Sequence, residues 1–215
     1  MTATSVDTGL DSSADTGADA GADTGVDTSA DTGGTLSPAP GATVWLTGLP
    51  CAGKSTIAHA LAARLRGRGR RVEVLDGDEV RPHLSQGLGF SRADRAVNVA
   101  RIGWVAQLLA RHGVLVLVPV IAPHADAREA VRRLHEERET TYLEVFVEAP
   151  LEVTAARDVK GMYARARAGT LPGFTGVDDE YEPPEFPDVR LRTADRAVED
   201  SVTELETALT ERGLL

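Results

Sequence analysis

The chain is poor in the residues that disulfides, zinc sites and membrane spans require. It has one cysteine, Cys51, and five scattered histidines in 215 residues, so it carries neither a disulfide framework nor a zinc-binding spacing of cysteine and histidine. Its longest apolar stretch, residues 114–122, is too short to cross a membrane, and its N-terminus lacks the pattern of a signal peptide. We therefore expect a cytoplasmic protein without membrane contacts.

Basic residues are absent from the first 53 positions. In that segment aspartate recurs at every fourth residue from Asp7 to Asp31, in near-repeats of Asp-Thr-Gly-Ala. Residues 1–40 contain almost no large apolar side chain, and frequent glycines with like charges four residues apart disfavour a helix. We predict a disordered acidic tail over residues 1–40 and one folded domain over residues 41–215. The net charge of −10 argues against nucleic acid as the main partner.

Beyond residue 41, short apolar runs alternate with segments of helical periodicity. Such alternation is typical of a parallel sheet with helices on both faces, and we predict five parallel strands in a three-layer α/β sandwich. The predicted strands are 43–46, 71–75, 114–121, 142–147 and 189–192. The predicted helices are 55–65, 94–111, 125–137, 151–157 and 198–212. Residues 158–188, rich in glycine, proline and charge, are predicted to be mostly loop.

A complete phosphate-binding loop, Gly-x4-Gly-Lys-Ser, lies between the first predicted strand and the first predicted helix. The backbone N–H groups of such a loop attract phosphate oxygens, its lysine reaches the β- and γ-phosphates, and its serine hydroxyl ligates Mg²⁺. The sequence therefore predicts a P-loop NTPase-type fold. The residues predicted to hold the nucleotide here are Gly48, Leu49, Pro50, Cys51, Ala52, Gly53, Lys54, Ser55 and Thr56.

Lysine is scarce elsewhere in the chain, which has 21 arginines but only Lys54 and Lys160. In a chain so biased toward arginine, a remaining lysine indicates a position where a guanidinium group does not serve. At Lys54 the reason is plain, because a compact ammonium group must enter the phosphate cradle. Lys160 is therefore a second candidate functional lysine.

The sequence lacks the motifs of two other classes of nucleotide enzyme, the GTPases of the switch type and the motor-type ATPases. The guanine-specific Asn-Lys-x-Asp motif is absent, because the only asparagine, Asn98, is not followed by lysine. The third predicted strand ends in Ala122-Pro123, without the acid found there in many ATPases. Acids follow the second strand instead, at Asp76 and Asp78, where they would face the phosphate loop. Either carboxylate is a candidate to orient Mg²⁺-bound water or to accept a proton from an attacking hydroxyl, and an ordinary Asp-Gly turn is the alternative.

Two further segments carry residue types that suit an anionic nucleotide. Arg81, Phe90, Arg95 and Asn98 combine guanidinium groups for phosphate or sulfate with a ring for a base. Residues 158–185 combine basic side chains with glycine hinges, which is typical of a lid that closes over transferring phosphates. An ordinary charged loop is the alternative interpretation of the second segment.

At these motifs the chain resembles the adenylylsulfate kinase family, over nearly all of residues 43–212. The resemblance implies transfer of the ATP γ-phosphoryl group, with Mg²⁺, to the 3′-hydroxyl of adenosine 5′-phosphosulfate, giving PAPS and ADP in sulfate activation. The segments that carry it are Trp45-Leu46-Thr47-Gly48-Leu49 with the phosphate loop, Leu75-Asp76-Gly77-Asp78, Leu88-Gly89-Phe90-Ser91 with Asp94-Arg95 and Asn98, Arg157-Asp158 with Lys160-Gly161, and Phe174-Thr175-Gly176 with Tyr181-Glu182.

The resemblance also implies roles for single residues and for partners. The catalytic residues are Lys54, Asp78 and the supporting Asp76. The Mg²⁺ ligands are Ser55 and Asp78. The ATP side of the lid contributes Arg157 and Lys160. The acceptor is bound by Asp78, Arg81, Phe90, Arg95, Asn98, Ile121 and Phe174, of which the two phenylalanines enclose its adenine. Family members usually form homodimers and work beside an ATP sulfurylase, so both are implied partners.

Several positions depart from the family pattern. The usual Ser-Pro-Tyr-Arg segment reads Ala122-Pro123-His124-Ala125 here, which removes a tyrosine and an arginine near the acceptor. Val97 and Ala100 replace a glutamate and an arginine, Pro172-Gly173 stands where a lysine is common, and Pro50-Cys51 replaces Ser-Gly. A kinase of the same fold acting on another nucleotide or a specialised metabolite is therefore one alternative. A non-catalytic nucleotide-binding protein is another.

Overall fold

The structure of the protein, a computed structural model, describes residues 40–215, so the predicted acidic tail lies outside the described residues except for its last position. Five strands and seven helices form this part of the chain. The strands are β1 (Ala42–Thr47), β2 (Val72–Val74), β3 (Leu115–Pro119), β4 (Thr141–Glu148) and β5 (Val189–Arg192). The helices are α1 (Lys54–Arg66), α2 (Gly77–Leu84), α3 (Arg92–Arg111), α4 (Ala125–Glu136), α5 (Leu151–Arg157), α6 (Met162–Arg167) and α7 (Val198–Glu211).

The sheet has the strand order β2-β3-β1-β4-β5, and every adjacent pair is parallel. The predicted five-stranded parallel α/β fold is thereby confirmed. β1 lies at the centre, where Ala42 is in register with Leu115 of β3 and with Thr141 of β4. The chain leaves β1 toward one edge of the sheet and leaves β3 toward the other, so a crevice opens at the carboxyl ends of these two strands.

Helices cover both faces of the sheet and bury it in two cores. One core packs α1 and α7 on one face, and the other packs α3 and α4 on the opposite face. Residues of β1 are buried on both faces, which explains a continuous apolar run rather than an alternating pattern. Within residues 40–215 no helix is both long and apolar enough to cross a membrane.

Two short helices were not expected from the sequence. α2 follows β2 directly, and the carboxylate of Asp76 caps it by accepting a hydrogen bond of 3.0 Å from the backbone N–H of Asp78. The Asp-Gly pair had an ordinary turn as its alternative interpretation. α6 interrupts the segment that was predicted to be mostly loop. The alternative of an ordinary turn after β2 is therefore wrong, because residues 77–84 form a helix that begins directly after Asp76.

Candidate functional site

A cavity of about 820 Å³ opens at the carboxyl edge of the sheet. It brings together segments that are far apart in the sequence, from the phosphate loop to the residues after β5. Of the predicted site residues, only Gly48 and Leu49 do not contribute to its wall. The predicted residues on the wall are Pro50, Cys51, Ala52, Gly53, Lys54, Ser55, Thr56, Asp76, Asp78, Arg81, Phe90, Arg95, Asn98, Ile121, Arg157, Lys160 and Phe174.

The phosphate loop curls tightly between β1 and α1. Gly48 has φ 151°, and a Cβ at this position would lie 2.3 Å from the carbonyl oxygen of Val147. Gly53, with φ 105°, turns the chain into the first turn of α1. Cys51 has φ 61°, a left-handed backbone conformation that residues other than glycine rarely adopt. The loop thus requires the backbone of Gly48 to lie close to that of Val147, and it requires a strained backbone conformation at Cys51.

Lys54 is the buried cation of the site. Its side chain is almost fully enclosed, and its ammonium group donates to the carbonyl oxygens of Gly48 at 2.9 Å and of Leu49 at 2.8 Å. Burial lowers the pKa of Lys54 to about 8, and the nearby negative charges of Asp76 and Asp78 oppose that shift. The lysine is therefore held among acceptors at the point where phosphate oxygens would enter the loop.

The two aspartates after β2 occupy different environments. Asp76 is buried and caps α2, with its second carboxylate oxygen 3.8 Å from Nε2 of His59. Asp78 is exposed and forms an ion pair with Lys160. That ion pair raises the pKa of Lys160, because Asp78 accepts a hydrogen bond from the ammonium group. The structure thus brings both lysines of the chain to the same pair of carboxylates.

The oxygen donors near the loop suit Mg²⁺. Ser55 and Asp78 both line the cavity and are exposed to it, and Asp76 lies behind them. Mg²⁺ is usually held by one or two carboxylates and completes its coordination with phosphate oxygens and water. Within residues 40–215 no cluster of three or more His, Cys, Asp or Glu side chains could hold a metal ion by itself. The residues therefore fit an ion that arrives with a nucleotide.

Arginines surround Phe90 on the other side of the cavity. The guanidinium carbon of Arg81 lies 4.2 Å from the centre of the Phe90 ring, and that of Arg95 lies 5.7 Å from it. Arg95 also donates to the carbonyl oxygen of Gly173 at 2.6 Å and lies 3.4 Å from the carboxylate of Asp179. Phe90 itself is 59% exposed, so one face of its ring is available to a ligand.

The remaining predicted acceptor residues lie around this arginine cluster. Asn98 accepts a hydrogen bond from the hydroxyl of Ser85. The carbonyl of Ile121 accepts a hydrogen bond of 2.6 Å from Thr47. Phe174 is buried on the lid side, against Tyr163. The two rings predicted to enclose adenine therefore both belong to the cavity wall, one exposed and one buried.

On the nucleotide side, Arg157 is tied to the chain that follows β5. Its guanidinium group donates to the carbonyl oxygens of Thr193 and, at 3.2 Å, of Ala194. The hydroxyl of Thr193 in turn donates to the carbonyl of Ala52 in the phosphate loop at 2.8 Å. Thr193 therefore links Arg157 to the phosphate loop, and the sequence had not indicated Thr193 as a site residue.

Arg128 is a second residue that the sequence reasoning missed. It is buried in α4 and donates to Glu144 at 2.8 Å and to the carbonyls of Ala122 and Glu182, each at 2.8 Å. Ala122 has φ 42°, and the carboxylate of Glu182 accepts a hydrogen bond of 2.7 Å from the N–H of Ala125. Arg128 thereby fixes the substituted segment 122–125. No sequence signal distinguishes it from the exposed arginines of the same helix.

Two curated relatives named adenylyl-sulfate kinase match most of the chain. The protein from Microcystis aeruginosa is 54% identical over 175 residues, and the one from Myxococcus xanthus is 53% identical over 175 residues. Each match covers 81% of this chain and 94% of the relative. The family model described as adenylylsulphate kinase matches residues 40–192. The chain belongs to the adenylylsulphate kinase family. The resemblance noted at the motifs is thereby confirmed.

Solved structures of the family match the fold. The Mycobacterium tuberculosis APS kinase in complex with AMPPNP and APS is 44% identical, with a TM-score of 0.78 over 80% of this chain and 99% of that chain. A hexameric APS kinase from Thiobacillus denitrificans is 37% identical, with a TM-score of 0.62 over 83% of this chain and 30% of that chain. Membership of this family makes the chain an ATP-dependent kinase that uses Mg²⁺.

We expect Arg128→Met to destabilise the protein by about 3–5 kcal/mol, because it leaves a buried Glu144 and two buried carbonyls without their donor. Urea denaturation measures the change in the free energy of unfolding. Arg133→Met is the matched control, since Arg133 is an exposed residue of the same helix whose only ion pair within residues 40–215 is with Glu129, at 3.7 Å. The control should lose less than about 1 kcal/mol. Equal losses in the two variants would contradict the assignment.

Proposed function

We propose that this protein transfers the γ-phosphoryl group of ATP to the 3′-hydroxyl of adenosine 5′-phosphosulfate, giving PAPS and ADP. The observation that carries the proposal is one cavity that joins a complete phosphate loop, with its buried Lys54, to the arginine cluster around Phe90. One end offers a site for a triphosphate. The other end offers a ring face and guanidinium groups for an anionic adenosine nucleotide.

The proposed reaction is an in-line displacement at the γ-phosphorus. The 3′-oxygen forms a bond to the γ-phosphorus while the bond from that phosphorus to the β–γ bridging oxygen breaks, and ADP leaves. Asp78 is the exposed carboxylate of the pair and accepts the proton of the hydroxyl. Lys54 stabilises the charge on the β- and γ-phosphates, and Asp76 fixes the start of α2 beneath Asp78. Ser55 and Asp78 would hold Mg²⁺, which when bound would neutralise phosphate charge.

Acceptor binding in this proposal depends on Arg81, Arg95 and Asn98 for the phosphosulfate and on Phe90 and Phe174 for adenine. Asp78 and Ile121 complete the acceptor side, and Arg157 and Lys160 complete the ATP side. The segment 122–125 favours a second candidate, a related adenosine nucleotide as acceptor, because alanines stand where the family has serine and arginine. The two candidates differ in the mass of the product.

The test is ADP release from Mg²⁺-ATP with adenosine 5′-phosphosulfate, with the product identified by mass. We expect turnover that yields PAPS, and generation of the acceptor by an ATP sulfurylase from ATP and sulfate should support the same product. Asp78→Asn should lower kcat far more than it weakens AMPPNP binding, since the amide cannot accept the proton. Turnover with another adenosine nucleotide only would overturn the choice of acceptor, and full activity of the variant would overturn the role of Asp78.

Arg95→Ala should raise the KM for the acceptor by at least about tenfold and leave the KM for ATP unchanged, because a charge-assisted hydrogen bond contributes about 1.5–3 kcal/mol. Steady-state kinetics with each substrate varied in turn gives the two values. Arg92→Ala is the control, since Arg92 begins the same helix and pairs with Asp126 and Glu182 outside the cavity wall. An equal rise in both KM values would contradict a role on the acceptor side.

We also propose a homodimer, placed in the cytoplasm. Val97 and Trp104 lie seven residues apart on α3, on one face of the helix, and are 43% and 51% exposed. An apolar helix face of this kind supports contact with a second copy. Sedimentation of the full chain should give a dimer, and Trp104→Ser should shift the chain toward a monomer. A monomeric wild-type chain would refute the proposal.

A further inference from the structure

A third, small core lies apart from the two cores of the sheet. Tyr163, Ala166 and Phe174 are its buried members. Cys51 of the phosphate loop and Leu151 of α5 pack against them. We call this cluster the lid core, since most of its members belong to the predicted lid, residues 158–185. The lid core thus contains both Phe174, which is proposed to pack against adenine, and Cys51 of the phosphate loop.

Tyr163 lies at the centre of the lid core and is 1% exposed. Its hydroxyl oxygen lies 3.0 Å from the carbonyl oxygen of Pro50 and 3.0 Å from the hydroxyl of Thr154. A carbonyl oxygen only accepts, so the tyrosine is the donor to Pro50. Burial raises the pKa of Tyr163, which keeps that donor protonated. Tyr163 is therefore hydrogen-bonded directly to the backbone of the phosphate loop.

The Tyr163 side chain also contacts Phe174. Its hydroxyl binds the phosphate loop, and its ring packs against the ring of Phe174. The two ring centres are 4.9 Å apart and the ring planes cross at 84°, an edge-to-face contact. The backbone that leads into Phe174 is held, because the carboxylate of Asp178 accepts from the N–H of Gly173 at 2.7 Å and from that of Phe174 at 2.6 Å. A shift of the Phe174 ring is therefore transmitted to Tyr163 rather than absorbed by its own loop.

A second contact joins the same loop to the phosphate loop. Gly176 has φ 91°, and a Cβ there would lie 3.0 Å from a methyl carbon of Leu49. The loop that carries Phe174 and the loop that holds phosphate therefore touch at two places, through Tyr163 and through Gly176. In the proposed function, none of the residues in these two contacts binds both ATP and the acceptor.

We propose that Tyr163 is a positioning residue that couples the acceptor site to the ATP site. Adenine packed on Phe174 restrains the Tyr163 ring, and the Tyr163 hydroxyl restrains Pro50, so binding at one site orders the other. This inference rests on the proposed function, in which Phe174 faces the acceptor. Tyr163 contacts neither substrate in it, and its effect passes through Phe174, through Pro50 and through the packing of Cys51 in the lid core.

The first measurement is hydrogen exchange of the amides of residues 51–53 without added nucleotide. Tyr163→Phe removes the hydroxyl and keeps the ring, so we expect faster exchange in these amides and unchanged exchange in the sheet. Tyr142→Phe is the matched control, because Tyr142 is a buried tyrosine of β4 whose hydroxyl has no hydrogen-bond partner among residues 40–215. Unchanged exchange in Tyr163→Phe would overturn the link to the phosphate loop, whatever the acceptor is.

The second measurement is the affinity for AMPPNP with Mg²⁺, with and without saturating adenosine 5′-phosphosulfate. In the wild type the acceptor should tighten AMPPNP binding at least about fivefold, and in Tyr163→Phe less than about twofold. Tyr142→Phe should keep the wild-type factor. Equal factors in wild type and Tyr163→Phe, or no tightening in the wild type, would overturn the coupling. A wild type that binds AMPPNP but not the acceptor would instead overturn the proposed function, and hydrogen exchange would still decide the link.

Cys51→Gly provides a second variant should Tyr163→Phe fail to fold. Glycine accepts the φ of 61° at this position without strain, and the change removes the loop's side chain from the lid core. The coupling factor for AMPPNP should fall while the melting temperature does not. A factor equal to that of the wild type would show that the lid core does not carry the coupling.

Discussion

The buried ammonium group of Lys54 is the interaction on which the rest of the site depends. A charge this far from water is costly unless its donors are satisfied, and the carbonyls of Gly48 and Leu49 accept from two of the three N–H donors of the ammonium group. Those carbonyls reach the lysine only because the loop folds back on itself at Gly48, against the end of β4. The central position of β1 in a parallel sheet thus sets the place of the cation, and the cation sets where phosphate enters.

Charged groups around Lys54 are paired within the protein in a way that substrates can exchange. Lys160 pairs with Asp78, and Arg95 pairs with the carbonyl of Gly173 and with Asp179. When a phosphate or sulfate oxygen binds such a cation, it would take the place of an acceptor of the protein. The cation would then keep a hydrogen-bond partner throughout and would not be left buried without one. In the proposed reaction, the same exchange would free Asp78 to act beside the acceptor hydroxyl. The proposed function would thus link nucleotide binding to the segment 158–185 through the same ion pairs.

The local parts of this arrangement could be predicted from the sequence, and the long-range parts could not. The phosphate loop is a contiguous motif whose backbone does the binding, so its residues identify it without knowledge of the fold. β1 and β3 are recognisable because strands buried on both faces are continuously apolar. α2 was missed because its cap, Asp76, is followed by a glycine that is equally typical of a turn. The roles of Arg128 and Tyr163 were not predicted, since the contacts that define them, with Glu182 and with Pro50, span 54 and 113 residues of the chain.

Segment 122–125 carries substituted side chains on a backbone that hydrogen bonds hold in place, and two of its residues, Ala122 and Pro123, line the cavity. Arg128 holds the backbone of Ala122, and Glu182 holds the N–H of Ala125, so main-chain groups fix the segment whatever side chains it carries. The serine and the arginine that the family has here would add polar atoms to a wall that is already in place. We therefore expect their loss to act on acceptor affinity and choice rather than on the fold. In the proposed function, acceptor recognition rests mainly on Arg81, Arg95 and the rings of Phe90 and Phe174.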